Sequence, residues 1–379
     1  MTRLFSQVFR YLFINQPSHQ VSDIKKIRSS NFELYRIFCM IMIVAHHYVC
    51  NSGLTDNNGF LVTDYSSGNS LFLSLFGAWG KTGINCFLMI TGYYMCTSTI
   101  TIRKFIKLMA EIYLYRWLVF FVLFFMGHET FSLLRFYYLC LPIVGLNHNF
   151  TSCFIVFWLF IPFFNILIRN LNKGQHELLL FMTYGCYTLF GSLYDFIVTY
   201  NYVTWFGIIY LLASYIRLYP NPLFNRLHLW GWMTFLSFFL ATASIVFFRI
   251  VIGALGGVGY FFVYDCNKLF SVAIAVCSFL WFKNMNIKYN RFLNALGAGT
   301  FGVFLIHASS GAMQKWIWRD IFDVIGHSSW PLGDLIAFSV GAVLVVFIIC
   351  NLIDQIRIAT LEKWLLNWYD RKIISSRLT

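Results

Sequence analysis

The sequence predicts an all-α, polytopic integral membrane protein with about ten transmembrane helices, and three observations carry that prediction. Hydrophobic residues make up 59% of the 379 and charged residues only 11%, where an ordinary soluble domain carries roughly 25% charged residues. Apolar stretches near the roughly 20 residues needed to cross a bilayer recur along the whole chain, separated by short polar loops. The Lys and Arg residues fall in those loops with a strong bias to one side, as membrane topology requires. Spans are predicted at about 34–50, 70–95, 108–127, 151–168, 178–197, 203–216, 229–248, 266–282, 295–314 and 332–353.

Taken in order, residues 1–30 contain "SDIKKIRSSN" but no compact apolar region followed by a small-residue cleavage site. They read as a cytoplasmic tail and not as a removed signal peptide. Residues 31–355 form one membrane unit with no internal repeat, low-complexity tract or linker, and 356–379 read as a second cytoplasmic tail. With the N-terminus cytoplasmic, the cytoplasmic loops and tails collect 20 Lys and Arg residues and the opposite face five, with three more inside spans or at their edges; this orientation therefore satisfies the positive-inside rule. Residues 132–150, which contain "LLRFYYLCLPIVGLNHNF" with Pro142, read as a short re-entrant or interfacial segment. The glycine-rich stretch "IVIGALGGVGYFFVYD" at 250–265 reads as half a span. A full crossing there would turn the basic loop "KNMNIKYNR" outward, against the charge rule.

The ten cysteines fall singly, mostly inside apolar runs, and no CxxC pair occurs, so they read as small hydrophobes and neither as a disulfide scaffold nor as metal ligands. The net charge of +13 is spread over many loops, which argues for topology and against a nucleic-acid surface.

The chemistry-bearing residues begin in "NFELYRIFCMIMIVAHHYVC" at 31–50. His47 follows Arg36 by an eleven-residue step, about three helical turns, so both lie on one face with about 16 Å of rise between them. His46 is rotated from that face by about 80°. Glu33 precedes Arg36 by three residues, within pairing reach of its guanidinium. An ionisable residue well inside a span is costly, and function is its default explanation. The competing reading is that Arg36 snorkels to the headgroups while His47 hydrogen-bonds a neighbouring helix. A second patch, "WGKTGINCFLMITGYYM" at 79–95, has Gly80 and Gly83 at a helix start with Lys81 beside them, where free amides and a cation favour an anion. Close packing of helices explains the glycines equally well. A third patch, "NALGAGTFGVFLIHASSG" at 294–311, ends an apolar run on His307. In "NYVTWFGIIYLLASYIR" at 201–217, Trp205 is a candidate cavity-lining residue, although a buried Trp is more often simply a packed one.

Together these patches resemble the membrane acyltransferase family often called acyltransferase 3. Its first helix carries an arginine, ten intervening residues and a histidine, matched by "RIFCMIMIVAHH" with Arg36 and His47. Its glycine-bounded run ending in a Ser-Gly-Phe-like turn is matched by "GKTGINCFLMITGYY", with Thr91 and Tyr93 in place of Ser and Phe. Its late S-Y-G-x-Y-L-x-H motif is matched by "TFGVFLIH": Gly302, Leu305 and His307 are retained, and Phe301 and Phe304 lose two hydroxyls. The resemblance runs from about residue 30 to 355 and lacks the extracytoplasmic hydrolase-like domain often fused to such proteins.

The resemblance implies O-acylation of a bacterial surface glycan, or of its lipid-linked precursor, at the inner membrane, with acetyl-CoA as donor and co-substrate. His47 is then the general base or the acyl-carrying nucleophile, and His307 assists the acceptor or relays a proton. Arg36, with Arg103 and Lys104, holds the anionic donor, while His46, Glu33, Lys81 and Trp205 line the acceptor side. Membrane lipids, acyl-CoA and a glycan acceptor are the expected partners; no metal and no nucleic acid is expected. A secondary transporter or exporter of a glycan-related substrate is the alternative, since glycine-bearing helices and buried polar groups also suit alternating access.

Overall fold

A backbone inside hydrocarbon must satisfy its own polar groups, and helices do so within one segment. The computed structural model accordingly contains helices and no strand among the residues it describes, which are 28–55, 67–146, 149–193, 196–249 and 260–378, with side chains as far as 372. The chain is an all-α membrane protein. Among the described residues five helices are long and apolar enough to cross a bilayer: α1 (Ser30–Cys50), α4 (Ile102–Phe125), α6 (Phe150–Asn170), α9 (Leu227–Phe247), and a rod over Leu332–Lys372. The rod joins α15 (Leu332–Arg357) to α16 (Lys363–Leu378) through a π turn at Ile358–Glu362, so the predicted C-terminal tail is helical.

The sequence led to an expectation of about ten crossings, and the difference has identifiable causes. The predicted span 70–95 is broken at Ala78–Trp79 into α2 (Gly68–Gly77) and α3 (Gly80–Met95). Helices α8 (Tyr202–Leu218) and α10 (Leu269–Asn284) are apolar but only 17 and 16 residues long. Helix α7 (Lys173–Tyr184) begins with a polar "KGQHE" under an Asn172–Gln175 capping box and gives way to a π turn at Gly185–Leu189. The predicted span 295–314 is a sequence of short helices: α11 (Arg291–Ala298), α12 (Thr300–His307) and α13 (Gly311–Lys315). It bends by 97° after His307, and counting the bent pair as one crossing makes six. Residues 132–150 contain α5 (Leu133–Cys140), too short to span, followed by a non-helical turn. A last short helix, α14, covers Val324–His327. The glycine-rich part of 250–265 lies outside the described residues except for 260–265.

Helix α1 is the hub and packs against α2, α3, α10, α11, α12 and α15. Tyr35, Cys39, Met40, Val44 and Tyr48 recur at helical spacing and are all at most 2% exposed. Hydroxyl pairs add polar contacts between helices: Tyr35 Oη with Ser278 Oγ at 2.7 Å, and Ser339 Oγ donating to Tyr48 Oη at 2.9 Å. The outward stripe of α15, with Val345, Ile348, Ile349 and Leu352, is exposed, while Ala342, Val346, Cys350 and Asp354 on its inner stripe are buried. An apolar outer face of this kind is what a lipid solvent requires.

Candidate active site

Two histidines distant in sequence meet where α1 and α12 end. His47 Nδ1 and His307 Nε2 are 2.9 Å apart, and His307 Nδ1 is 2.6 Å from the carbonyl oxygen of Val303 on its own helix. A carbonyl only accepts, so His307 Nδ1 carries a hydrogen and donates it. In neutral His307 the Nε2 atom is then the acceptor, and His47 Nδ1 must be the donor. This leaves neutral His47 with its lone pair on Nε2, for which no hydrogen-bond partner occurs among the described residues. The Val303 carbonyl thus sets the tautomer of His47 through a completely buried His307. His46 is anchored separately, its Nδ1 2.6 Å from the Gly77 carbonyl at the break between α2 and α3.

His46 and His47 border a cavity of about 190 Å3, together with Ile43, Gly80, Lys81, Ile84, Tyr202, Phe304 and others. Glycines make the approach of α3 to α1 possible. A Cβ at Gly80 would run into the His46 ring, and one at Gly83 would lie 2.9 Å from the Cys39 carbonyl oxygen and 3.0 Å from Ile43 Cγ1. These contacts order the cavity along α1. Lys81 lies in the first turn of α3, beside the histidines, whereas Ile43 and Ile84 lie about one turn nearer the start of α1 and form an apolar floor. Asn149, Thr151 and Gln314 supply polar wall atoms, and Phe150 packs edge-on against Phe304 at 5.0 Å. Lys81 Nζ donates to Tyr202 Oη at 2.5 Å and stands 5.2 Å over the same ring. Complete small-molecule sites usually occupy roughly 300–1,000 Å3. This cavity is smaller than a complete site of that kind.

The other predicted residues lie elsewhere. Glu33 and Arg36 pair at 2.5 Å near the start of α1, where Glu33 also faces Arg28 at 3.4 Å and packs on Gly297; neither borders the His47 cavity. Arg103 pairs with Asp370 of α16 at 2.9 Å. Lys104 donates to Ser98 Oγ at 2.6 Å and to the Thr99 carbonyl at 2.7 Å. Trp205 is fully buried and uses its indole N–H to donate to Asn85 Oδ1 at 2.8 Å; Asn85 in turn donates to the Cys266 carbonyl at 2.7 Å. Trp205 therefore orients a neighbour and does not face the cavity. Tyr202, which does, is three residues before it and thus on the same helical face.

Sequence reasoning also passed over a buried ionic cluster. Arg357 reaches Asp354 at 2.6 Å, Glu362 at 2.6 Å and Glu111 at 3.1 Å, while Lys107 reaches Glu362 at 2.5 Å and Tyr115 Oη donates to Asp354 Oδ1 at 2.7 Å. The four-residue steps Lys107, Glu111, Tyr115 are legible in "KLMAEIYLY" as one helical face. Helix α12 is seated on this cluster at Gly302, where a Cβ would collide with the Asp354 carboxyl. No group of three or more His, Cys, Asp or Glu side chains suited to a metal occurs among the described residues. Comparison with protein-family models, curated proteins and solved structures finds no match to this chain.

Proposed function

We propose that the protein is a membrane O-acyltransferase of the acyltransferase 3 type. It moves an acyl group, acetyl on the strength of the sequence resemblance, from acyl-CoA to a hydroxyl of a cell-surface polysaccharide or its lipid-linked precursor. The observation that carries this reading is the Val303–His307–His47 chain, which leaves a lone pair on His47 Nε2 beside the small cavity. A sugar hydroxyl is a weak nucleophile, and a neutral imidazole placed against it removes its proton as the oxygen attacks. The oxygen then bonds to the thioester carbonyl carbon, the carbon–sulfur bond breaks, and the proton held by His47 passes to the departing thiolate. His307 is a positioning residue in this scheme: its hydrogen bond holds the His47 ring and stabilises it as it takes up charge.

In this reading Arg36, Arg103 and Lys104 hold the distant anionic part of the donor, and His46 and Lys81 border the acceptor. The shorter helices α3, α7, α8 and α10 join the five long ones and the bent α11–α13 segment in a bundle of about ten crossings, with both termini cytoplasmic, in the inner membrane of a bacterium. A secondary transporter is the second reading, favoured by the 97° break after His307, since discontinuous helices form substrate sites in transporters.

The test is acetyl transfer from radiolabelled acetyl-CoA to a cell-envelope extract by membranes containing the intact protein or His47→Ala at matched abundance. Label that appears with the parent and vanishes with the variant is expected. Uptake of a glycan-related substrate without modification, and no label from any acyl-CoA, would move the protein to the transporter class.

A further inference from the structure

Lys81 is the cation nearest the reaction in the acyltransferase reading, and its surroundings are unusual. It borders the same 190 Å3 cavity as His47. Its hydrogen-bond partner is a phenol oxygen, Tyr202 Oη at 2.5 Å, and among the described residues no carboxylate comes within 4.0 Å of its ammonium. The Asp265 carboxylate acts on it only from beyond that distance, with one oxygen accepting from the Cys266 amide at 2.8 Å. A partly buried cation lacking a carboxylate in contact is costly, and the cost is recovered when an anion forms beside it.

We infer that Lys81 is a catalytic residue that stabilises the oxyanion of acyl transfer, and this rests on the acyltransferase reading. When the acceptor oxygen bonds to the thioester carbon, the carbonyl π pair moves onto the carbonyl oxygen. The negative charge lies beside the Lys81 ammonium, and the first turn of α3 adds the positive end of a helix. Collapse of the adduct restores the carbonyl and expels the thiolate, which takes the proton from His47. Tyr202 holds Lys81 in place by accepting from Nζ, and its ring lies beneath the ammonium. Nothing in this role depends on the identity of the acceptor, so its loss must be felt with every acceptor alike.

The experiment uses the purified full-length protein in lipid nanodiscs, with acetyl-CoA as donor and either the envelope extract or hydroxylamine as acceptor. Hydroxylamine needs no acceptor site and little base, but its attack on the thioester passes through the same oxyanion. Lys81→Met is expected to lower kcat by about 10²–10³-fold with both acceptors and leave KM for acetyl-CoA within about twofold; Lys81→Arg recovers part of the loss. If Lys81→Met raises only the KM for the envelope acceptor and spares acetylation of hydroxylamine, Lys81 binds an acidic acceptor and the inference is overturned. Full activity of the variant overturns it as well. Should Lys81→Met fail to give monodisperse protein, Tyr202→Phe carries the test: a smaller kcat loss shared by both acceptors supports the assignment, and unchanged kcat with both defeats it. A parent protein that transfers acetyl to neither acceptor refutes the acyltransferase reading itself and takes this inference with it.

Discussion

Replacing Arg357 by methionine removes the centre of the buried ionic cluster while keeping most of the side chain's length. Arg357 is 6% exposed and bonds three carboxylates, those of Asp354, Glu111 and Glu362. Without it, Glu362 keeps Lys107 and Asp354 keeps the Tyr115 hydroxyl, but Glu111, also 6% exposed, keeps no ion-pair or hydrogen-bond partner among the described residues. Stranding one partner of a buried pair costs about 3–5 kcal/mol, so the ratio of folded to unfolded protein should fall by roughly 100-fold or more. The cost arises from uncompensated charge and not from lost volume. The triple variant Arg357→Met, Glu111→Gln, Asp354→Asn should therefore recover more than half of it, because exchanging a whole buried ionic group for neutral side chains is often close to neutral. Reversible unfolding in mild detergent, followed by intrinsic fluorescence, measures both quantities. A loss under about 1 kcal/mol for Arg357→Met, or no recovery in the triple variant, would show that the cluster does not hold α4, α12 and α15 together.

Two further substitutions probe the packing that builds the cavity. Gly83→Ala places a methyl 2.9 Å from the Cys39 carbonyl oxygen and 3.0 Å from Ile43 Cγ1; overpacking should cost about 1–3 kcal/mol, seen as a lower unfolding midpoint, with transfer activity falling as the cavity floor shifts. Asn85→Leu leaves the Trp205 indole N–H and the Cys266 carbonyl without their partners; each buried group so stranded costs about 1–3 kcal/mol, and Asn85→Gln should fail to restore the stability because its extra methylene does not fit beside a fully buried Trp205.

The membrane class, helix α1 and the late histidine-bearing helix were all legible, because each depends on local hydropathy and on helical spacing within one segment. The break at Trp79 was not. A hydropathy window averages "LSLFGAWGKTG" into one apolar stretch, whereas the break places Gly80 against the His46 ring and lets the Gly77 carbonyl accept from that ring. Such a contact is set by a second helix. The same limit applies to the histidine pair. Both members could be found singly, but their hydrogen bond joins residues 260 apart, and no spacing rule relates positions on two helices. Trp205 is the cavity-lining candidate the sequence offers in this segment, yet the cavity lies at the start of α8, where Tyr202 borders it and the fully buried Trp205 turns into the core. The ionic cluster was half visible in the steps from Lys107 to Tyr115; its partner Arg357 looked like part of a tail because the rod's continuation past residue 355 is polar.

If the protein is the proposed acyltransferase, the position of Arg36 limits what it can contribute to the transfer. About 16 Å of helix rise separates it from His47. Between them lie the apolar floor of Ile43 and Ile84 and, deeper still, Met40 and Leu88, neither more than 2% exposed. A guanidinium so placed does not touch the reacting carbonyl, and any interaction with the donor is with a part that is the same in the ground state and in the transition state. Removing a uniform interaction of this kind raises KM and leaves kcat unchanged. Arg36→Ala should therefore raise KM for acetyl-CoA by roughly tenfold or more, the equivalent of one charge-assisted hydrogen bond of about 1.5–3 kcal/mol, with kcat within about twofold. Because Glu33 pairs with both Arg28 and Arg36, Glu33 keeps a cation in the variant and the fold should survive. Steady-state kinetics with acetyl-CoA varied at saturating acceptor decides the matter. A fall in kcat at unchanged KM would place Arg36 at the reacting atoms, which requires the floor beneath His47 to open and the two ends of α1 to share one substrate channel.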